Sequence, residues 1–169
     1  MKREAEITRD TRETHIEVRL NIDGTGRSEI KTGVGFLDHM LELFAKHGFF
    51  DLTVTATGDL HIDDHHTVED VGICLGEAFI RAVDDKVGIC RFGNSVVPMY
   101  EALARVDLDL CGRPYFHYDT PLGSGKVGTF DVELVEEFFH GFANHSGTTL
   151  HINVPSGTNR HHVIEAIFK

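Results

Sequence analysis

The sequence predicts an α+β fold made by internal duplication. A sheet-plus-two-helix unit is written twice, with the helices packed on one face of each mostly antiparallel or mixed four-stranded sheet. Three observations carry that expectation. Two amphipathic segments, residues 35–48 and 134–145, have apolar residues at matching places 98 positions apart. Each is followed by an alternating apolar run. After each run comes a His-His-x-x-Glu segment, His65-His66-Thr67-Val68-Glu69 and then His161-His162-Val163-Ile164-Glu165, 96 positions later. Matching elements in one order mark a duplication. It divides the chain into a first α/β repeat over residues 1–90 and a second over residues 91–169, together forming one compact domain.

Residues 14–20 alternate and read as a strand, matched by residues 104–110 at an offset of 90. Gly24-Thr25-Gly26 and Leu122-Gly123-Ser124-Gly125 supply turns between strands. The first helix presents Phe36, Leu37, Met40, Leu41 and Phe44 as one stripe and closes at Gly48, and its copy presents Leu134, Val135, Phe138, Phe139 and Phe142. Half-buried strands follow at residues 50–57 and 148–154, with Leu52, Val54 and Ala56 on one face of the first and Leu150, Ile152 and Val154 on one face of the second. Turns of unequal length account for offsets that drift from 90 to 98. The second helix is expected over residues 64–86, its stripe carried by Val68, Val71, Leu75, Phe79 and Val83. Lys169 corresponds to Ile73, so the copy is expected to be cut short by roughly three turns.

Bulk properties narrow the function. With 16 basic and 27 acidic residues the formal charge is −11, which disfavours a nucleic-acid role because backbone binding needs a cationic footprint. No apolar run approaches membrane-helix length and no signal-like segment follows Met1, so a cytoplasmic location and no membrane partner are expected. Cys74, Cys90 and Cys111 show no C-x-x-C spacing and read as small core residues. The unusual count is histidine, 12 in 169 residues.

On a helix, His65 and Glu69 share a face while His66 is rotated by about 100°. One ion can be gripped by that His/Glu pair while His66 points toward another, and His161, Glu165 and His162 repeat the geometry. His39 and Glu137 hold matching positions on the two earlier helices. The expected ligand sets are His39, His66, His161 and Glu165 for one ion, and His65, Glu69, Glu137 and His162 for the other. Imidazole and carboxylate without thiolate fit Mn(II), Fe(II) or Zn(II) with open positions for substrate. A single His-His pair is often no more than a surface feature; two at matching repeat positions favour metal. His15, His61, His117 and His151 have no such partner spacing, and His47 matches His145 just before a turn, a place suited to capping or pocket lining. Arg91 and Arg113, each near a strand end beside Gly, can hold a phosphate bidentately.

These residues resemble a known family, the imidazoleglycerol-phosphate dehydratases of histidine biosynthesis. The resemblance rests on Arg9-Asp10-Thr11-Arg12-Glu13-Thr14, on Gly33-Val34-Gly35-Phe36-Leu37-Asp38-His39-Met40, on Asp64-His65-His66-Thr67-Val68-Glu69-Asp70 and on Arg160-His161-His162-Val163-Ile164-Glu165-Ala166. It implies dehydration of imidazole glycerol phosphate to imidazole acetol phosphate, two Mn(II) ions per site, and shells of up to 24 subunits whose metal-bridged sites are shared between chains. It also implies that Glu13, Arg91, Arg113 and Lys169 contact substrate, with His39, His47, His65, His66, His161 and His162 around it. Glu13 is then the candidate for proton transfer, and Glu69 and Glu165 are ligands first and bases second. The family pattern departs at Glu137, where some relatives have His, and at the C-terminus, where family chains usually continue into a Ser-Thr-Lys segment. Two cations bracketing an imidazole would favour its anion and let the ring push electrons toward the leaving hydroxyl. A dinuclear hydrolase activating a bridging water, and a non-catalytic protein assembled through metal ions, are the alternatives.

Overall fold

In the computed structural model, residues 2–169 are described. The first half runs β1 (Glu4–Asp10), β2 (Thr14–Asn21), β3 (Ser28–Lys31), α1 (Gly35–Gly48), β4 (Asp51–Gly58) and α2 (His65–Val83). The second runs β5 (Phe92–Met99), β6 (Ala102–Asp109), β7 (Tyr115–Asp119), a small hairpin of β8 (Lys126–Val127) and β9 (Phe130–Asp131), then α3 (Leu134–Ser146), β10 (Thr149–Ser156) and α4 (Arg160–Phe168). The sheets have orders β1-β2-β4-β3 and β5-β6-β10-β7. In the first sheet β3 runs parallel to β4 and in the second β7 runs parallel to β10, and the other pairs are antiparallel. Two sheets of identical order and polarity establish the duplication, with the β8–β9 hairpin as an insertion in the second copy.

Strand alternation does the orienting. In β2, Thr14, Ile16, Val18 and Leu20 are buried while the residues between them are exposed, so one face of the sheet turns to the helices. Fully burying a side chain such as Ile16 or Val18 is worth about 1.5–3 kcal/mol. Helix α2 packs on β1, β2 and β4, while α4 packs on β5 and β6. The halves meet helix to helix, α2 against α3 and α1 against α4. Exchanging α1 with α3 and α2 with α4 turns one of these contacts into the other, an approximate two-fold relation. The α2–α3 contact is close because Gly72 and Gly76 face the backbone of α3: a Cβ on Gly72 would overlap the Phe138 carbonyl, and one on Gly76 would lie 2.6 Å from the Phe142 carbonyl.

Some expectations need correction. Leu20 pairs with Leu52 and Leu108 with Leu150, so β2 matches β6 at an offset of 88 rather than 90. The slip of two residues keeps every side chain on its face. Helix α2 ends at Val83 instead of Lys86 because Asp84 and Lys86 adopt φ of 55° and 64°, outside the helical region. Of the cysteines only Cys74 is a core residue; Cys90 is exposed and Cys111 intermediate. No helix among the described residues is long and apolar enough to cross a membrane.

A polar network ties β1 and β2 to the second turn of α2. Asp70, buried, accepts Arg9 Nε at 2.9 Å and the Thr14 hydroxyl. Removing the carboxylate leaves both donors without it, and Asp70→Ala is expected to lower the unfolding free energy by about 1.5–3 kcal/mol. Urea titration checks this, with an unchanged midpoint as the contrary result.

Candidate metal centre

The two His-His-x-x-Glu segments form the opening turns of α2 and α4. Each helix start is fixed by a short polar side chain. Asp63 Oδ1 accepts the His65 N–H at 2.9 Å, and Asn159 Oδ1, at the N-cap of α4, accepts those of His161 and His162 at 2.9 and 3.3 Å. The i,i+4 spacing then acts as expected, with Nε2 of His161 3.0 Å from Glu165 Oε2 and Nε2 of His65 3.7 Å from Glu69 Oε2. Helix α1, packed against α4, brings His39 Nε2 to 3.9 Å from the same Glu165 oxygen.

Three donors thus converge. Among the described residues, His39, His161 and Glu165 are the one group of three or more such side chains whose ligand atoms all lie within 4.8 Å of one another. Phe36, edge-on to the His161 ring with centroids 5.3 Å apart, packs that imidazole in place. Glu165 is buried, and burial by itself would raise its carboxyl pKa; the hydrogen bonds and charges of Lys169 and His161 outweigh that and hold it below the ordinary value. The carboxylate therefore stays ionised where two imidazoles meet it. Two imidazoles and one buried carboxylate, with no thiolate, suit a borderline-to-hard divalent cation.

The expected four-residue sets are not complete within one chain. His66 does not join the His39 group, and Glu137, half-buried on α3, forms no comparable group with His65, Glu69 and His162. His66 Nδ1 instead lies 2.9 Å from Asp59 Oδ2, and His162 Nδ1 lies 2.8 Å from Glu101 Oε2. The Asp59 hydrogen bond raises the pKa of His66, with a further contribution from the charge of Glu13, which sits exposed on the β1–β2 turn. Glu101, bonded first by His162 and then by the Asn159 backbone N–H, falls to about 2. Asp59 and Glu101 escaped the sequence reading, since neither stands at a spacing that singles it out.

The remaining expected site residues are dispersed. Lys169 Nζ is 2.7 Å from Glu165 Oε1, beside the convergent group. His47 is exposed near the end of α1. Arg91 binds Asp109 through both Nε and Nη2, at 2.6 and 2.9 Å, and the charge of Arg113 also reaches Asp109. That is one end of β6. At the other end, the β5–β6 turn carries Tyr100, whose ring centroid lies 6.2 Å from that of His162. Eight residues of strand span roughly 25 Å, so the arginines stand well away from the start of α4 in their own chain.

A family model described as imidazoleglycerol-phosphate dehydratase matches residues 32–169. The chain is 58% identical over 169 residues to the imidazoleglycerol-phosphate dehydratase of Ralstonia nicotianae, covering all of this chain and 86% of that one. It is 60% identical over 167 residues to that of Caldanaerobacter subterraneus subsp. tengcongensis, covering 99% and 86%. The crystal structure of the Staphylococcus aureus imidazoleglycerol-phosphate dehydratase superposes with a TM-score of 0.88 at 43% identity, covering 98% of this chain and 92% of that one.

Proposed function

Because the chain belongs to the imidazoleglycerol-phosphate dehydratase family and is a metal-dependent hydro-lyase of the imidazole glycerol phosphate type, we propose that it works through two Mn(II) ions per site, in sites shared between chains of a homo-oligomer of up to 24 subunits. The observation that carries this reading is the convergence of His39, His161 and Glu165 beside a His162 turned elsewhere. Helix α4 holds one ion's His/Glu pair and presents His162 outward; α2 does the same with His65, Glu69 and His66. An α4 of one chain facing an α2 of another completes both sets, His39, His66, His161 and Glu165 for one ion and His65, Glu69, Glu137 and His162 for the other. These imidazole and carboxylate side chains fit such ions in donor type and convergence. The division into repeats at residues 90 and 91 belongs to the same reading, as does a cytoplasmic location suited to a small phosphorylated substrate.

Bound there, divalent cations supply positive charge that favours the anionic form of the substrate's imidazole ring. The chain's own groups do the rest. Glu13, exposed on the β1–β2 turn with its charge felt at His66, is the proposed group that moves the proton at the side-chain carbon attached to the ring. Glu69 and Glu165 are committed to ligation and stand second as bases. Arg91, Arg113 and Lys169 bind the phosphate and so align the reacting carbons. In one chain the arginines lie at the far end of β6 from His162, which supports their serving a neighbouring chain's site. His47 lines the approach.

Metal removal tests the reading. Dehydration of imidazole glycerol phosphate is expected to vanish on dialysis against chelator and to return with Mn(II), saturating at about two ions per subunit, because deprotonated ligands and a preformed site set the affinity. Turnover that survives chelation contradicts it.

A further inference from the structure

The second imidazole of each His-His pair is held by a carboxylate from outside its helix. Asp59, in the connection after β4, engages His66 Nδ1, and Glu101, at the tip of the β5–β6 turn, engages His162 Nδ1. These carboxylates are not copies of each other. Asp59 stands 7 residues before His66, whereas Glu101 stands 61 before His162. Duplication of one unit therefore did not supply both, yet each reaches the same nitrogen of a matched ring.

A carboxylate only accepts, so Nδ1 carries the hydrogen and the lone pair is left on Nε2. His65 and His161, by contrast, already turn Nε2 toward the glutamate of their own helix. A ring that must reach donors beyond its own helix loses more rotational freedom on binding, and fixing it beforehand removes that cost. The arrangement at Asp59 is also expensive to keep: its Oδ1 is buried and has no hydrogen-bond partner among the described residues.

Resting on the assignment of His66 and His162 as metal ligands, we infer that Asp59 and Glu101 are positioning residues that fix the tautomer and direction of these two rings, so that each presents Nε2 to a divalent cation. Hydrogen-bonded partners of ligating histidines act in this way in metal sites generally. Glu101 does a second job. Its Oε1 accepts the backbone N–H groups of Thr158 and Asn159 at 3.2 and 2.8 Å, fixing the loop that leads into α4.

That second job makes Glu101→Gln a sharp test. The two backbone donors keep the glutamine oxygen, so the amide N–H turns toward His162 Nδ1. Nδ1 becomes the acceptor, the ring hydrogen moves to Nε2, and Nε2 no longer ligates. Metal-stripped, intact protein is titrated with Mn(II) while free Mn(II) is followed by EPR, with thermal melts in parallel. Wild-type protein binds; Glu101→Gln is expected to melt like wild type and bind about 10–100-fold more weakly at the affected ion. Asp59→Ala is expected to weaken binding similarly. Among the described residues, the Asp59 carboxylate accepts from no other residue's backbone N–H, so that variant decides the matter if Glu101→Gln melts early. Wild-type affinity in a folded Glu101→Gln, or in Asp59→Ala, overturns the inference. Failure of the wild-type chain itself to bind Mn(II) is a separate outcome and overturns the metal reading instead.

Discussion

Alanine at Gly72 is expected to destabilise the protein by about 3 kcal/mol or more, well beyond an ordinary surface substitution. On an isolated helix the same change would be stabilising, since alanine is the better helix former by about 1 kcal/mol. Here the added methyl meets the Phe138 carbonyl of α3, a backbone atom that no rotamer change can move aside. Relief requires α2 and α3 to separate, and the shift would spread to the other close approaches of the two helices, at Gly76 and Gly141, where an added Cβ would lie 2.6 Å from the Phe142 carbonyl and 3.2 Å from the Glu69 carbonyl. The opening turns of α2 carry His65, His66 and Glu69, so metal affinity should fall together with stability. Denaturant unfolding of Gly72→Ala checks the first effect, and a midpoint equal to that of wild type would show that the contact is slack.

The glycine contact illustrates what a sequence conceals. Apolar stripes at Phe36, Leu37, Met40 and Leu41 and at Leu134, Val135, Phe138 and Phe139 are legible because helix burial follows a period. The repeated His-His-x-x-Glu segments are legible for the same reason, and their i,i+4 pairs meet as the period requires. A glycine facing another helix leaves no periodic trace. Neither does a carboxylate such as Glu101, whose partner His162 is brought near by sheet topology alone. The offset of 90 assigned to β2 and β6 went astray by two because alternation fixes the face of a strand but not its register. Convergence of His39 with His161 and Glu165 was expected from matched helical positions. The separation of His66 from that group within one chain supports the proposed sharing of sites between chains, and only the folded geometry displays it.

Loss of a ligand is expected to have the largest effect on activity. His66→Ala and His161→Ala each remove one imidazole from the set proposed for the same ion. Turnover in either variant should fall by at least about a hundredfold, since losing a group that merely steadies a ligand already costs about 10–100-fold. Neither ring is a core residue: His66 is exposed and His161 only partly covered. Both variants should therefore keep wild-type stability, and a circular dichroism melt separates lost ligation from lost fold.

The two variants together test the shared site most directly. If each site pairs α4 of one chain with α2 of another, a His66→Ala chain still offers an intact α4, and a His161→Ala chain still offers an intact α2. Assemblies formed from equal amounts of both chains, refolded or expressed together and loaded with Mn(II), would then contain about a quarter of fully intact sites by random pairing around a symmetric oligomer. Turnover of imidazole glycerol phosphate near a quarter of wild type, where each variant alone is almost inactive, is the predicted result. Mixed assemblies no more active than either parent would contradict it and would place every ligand of a site in one chain.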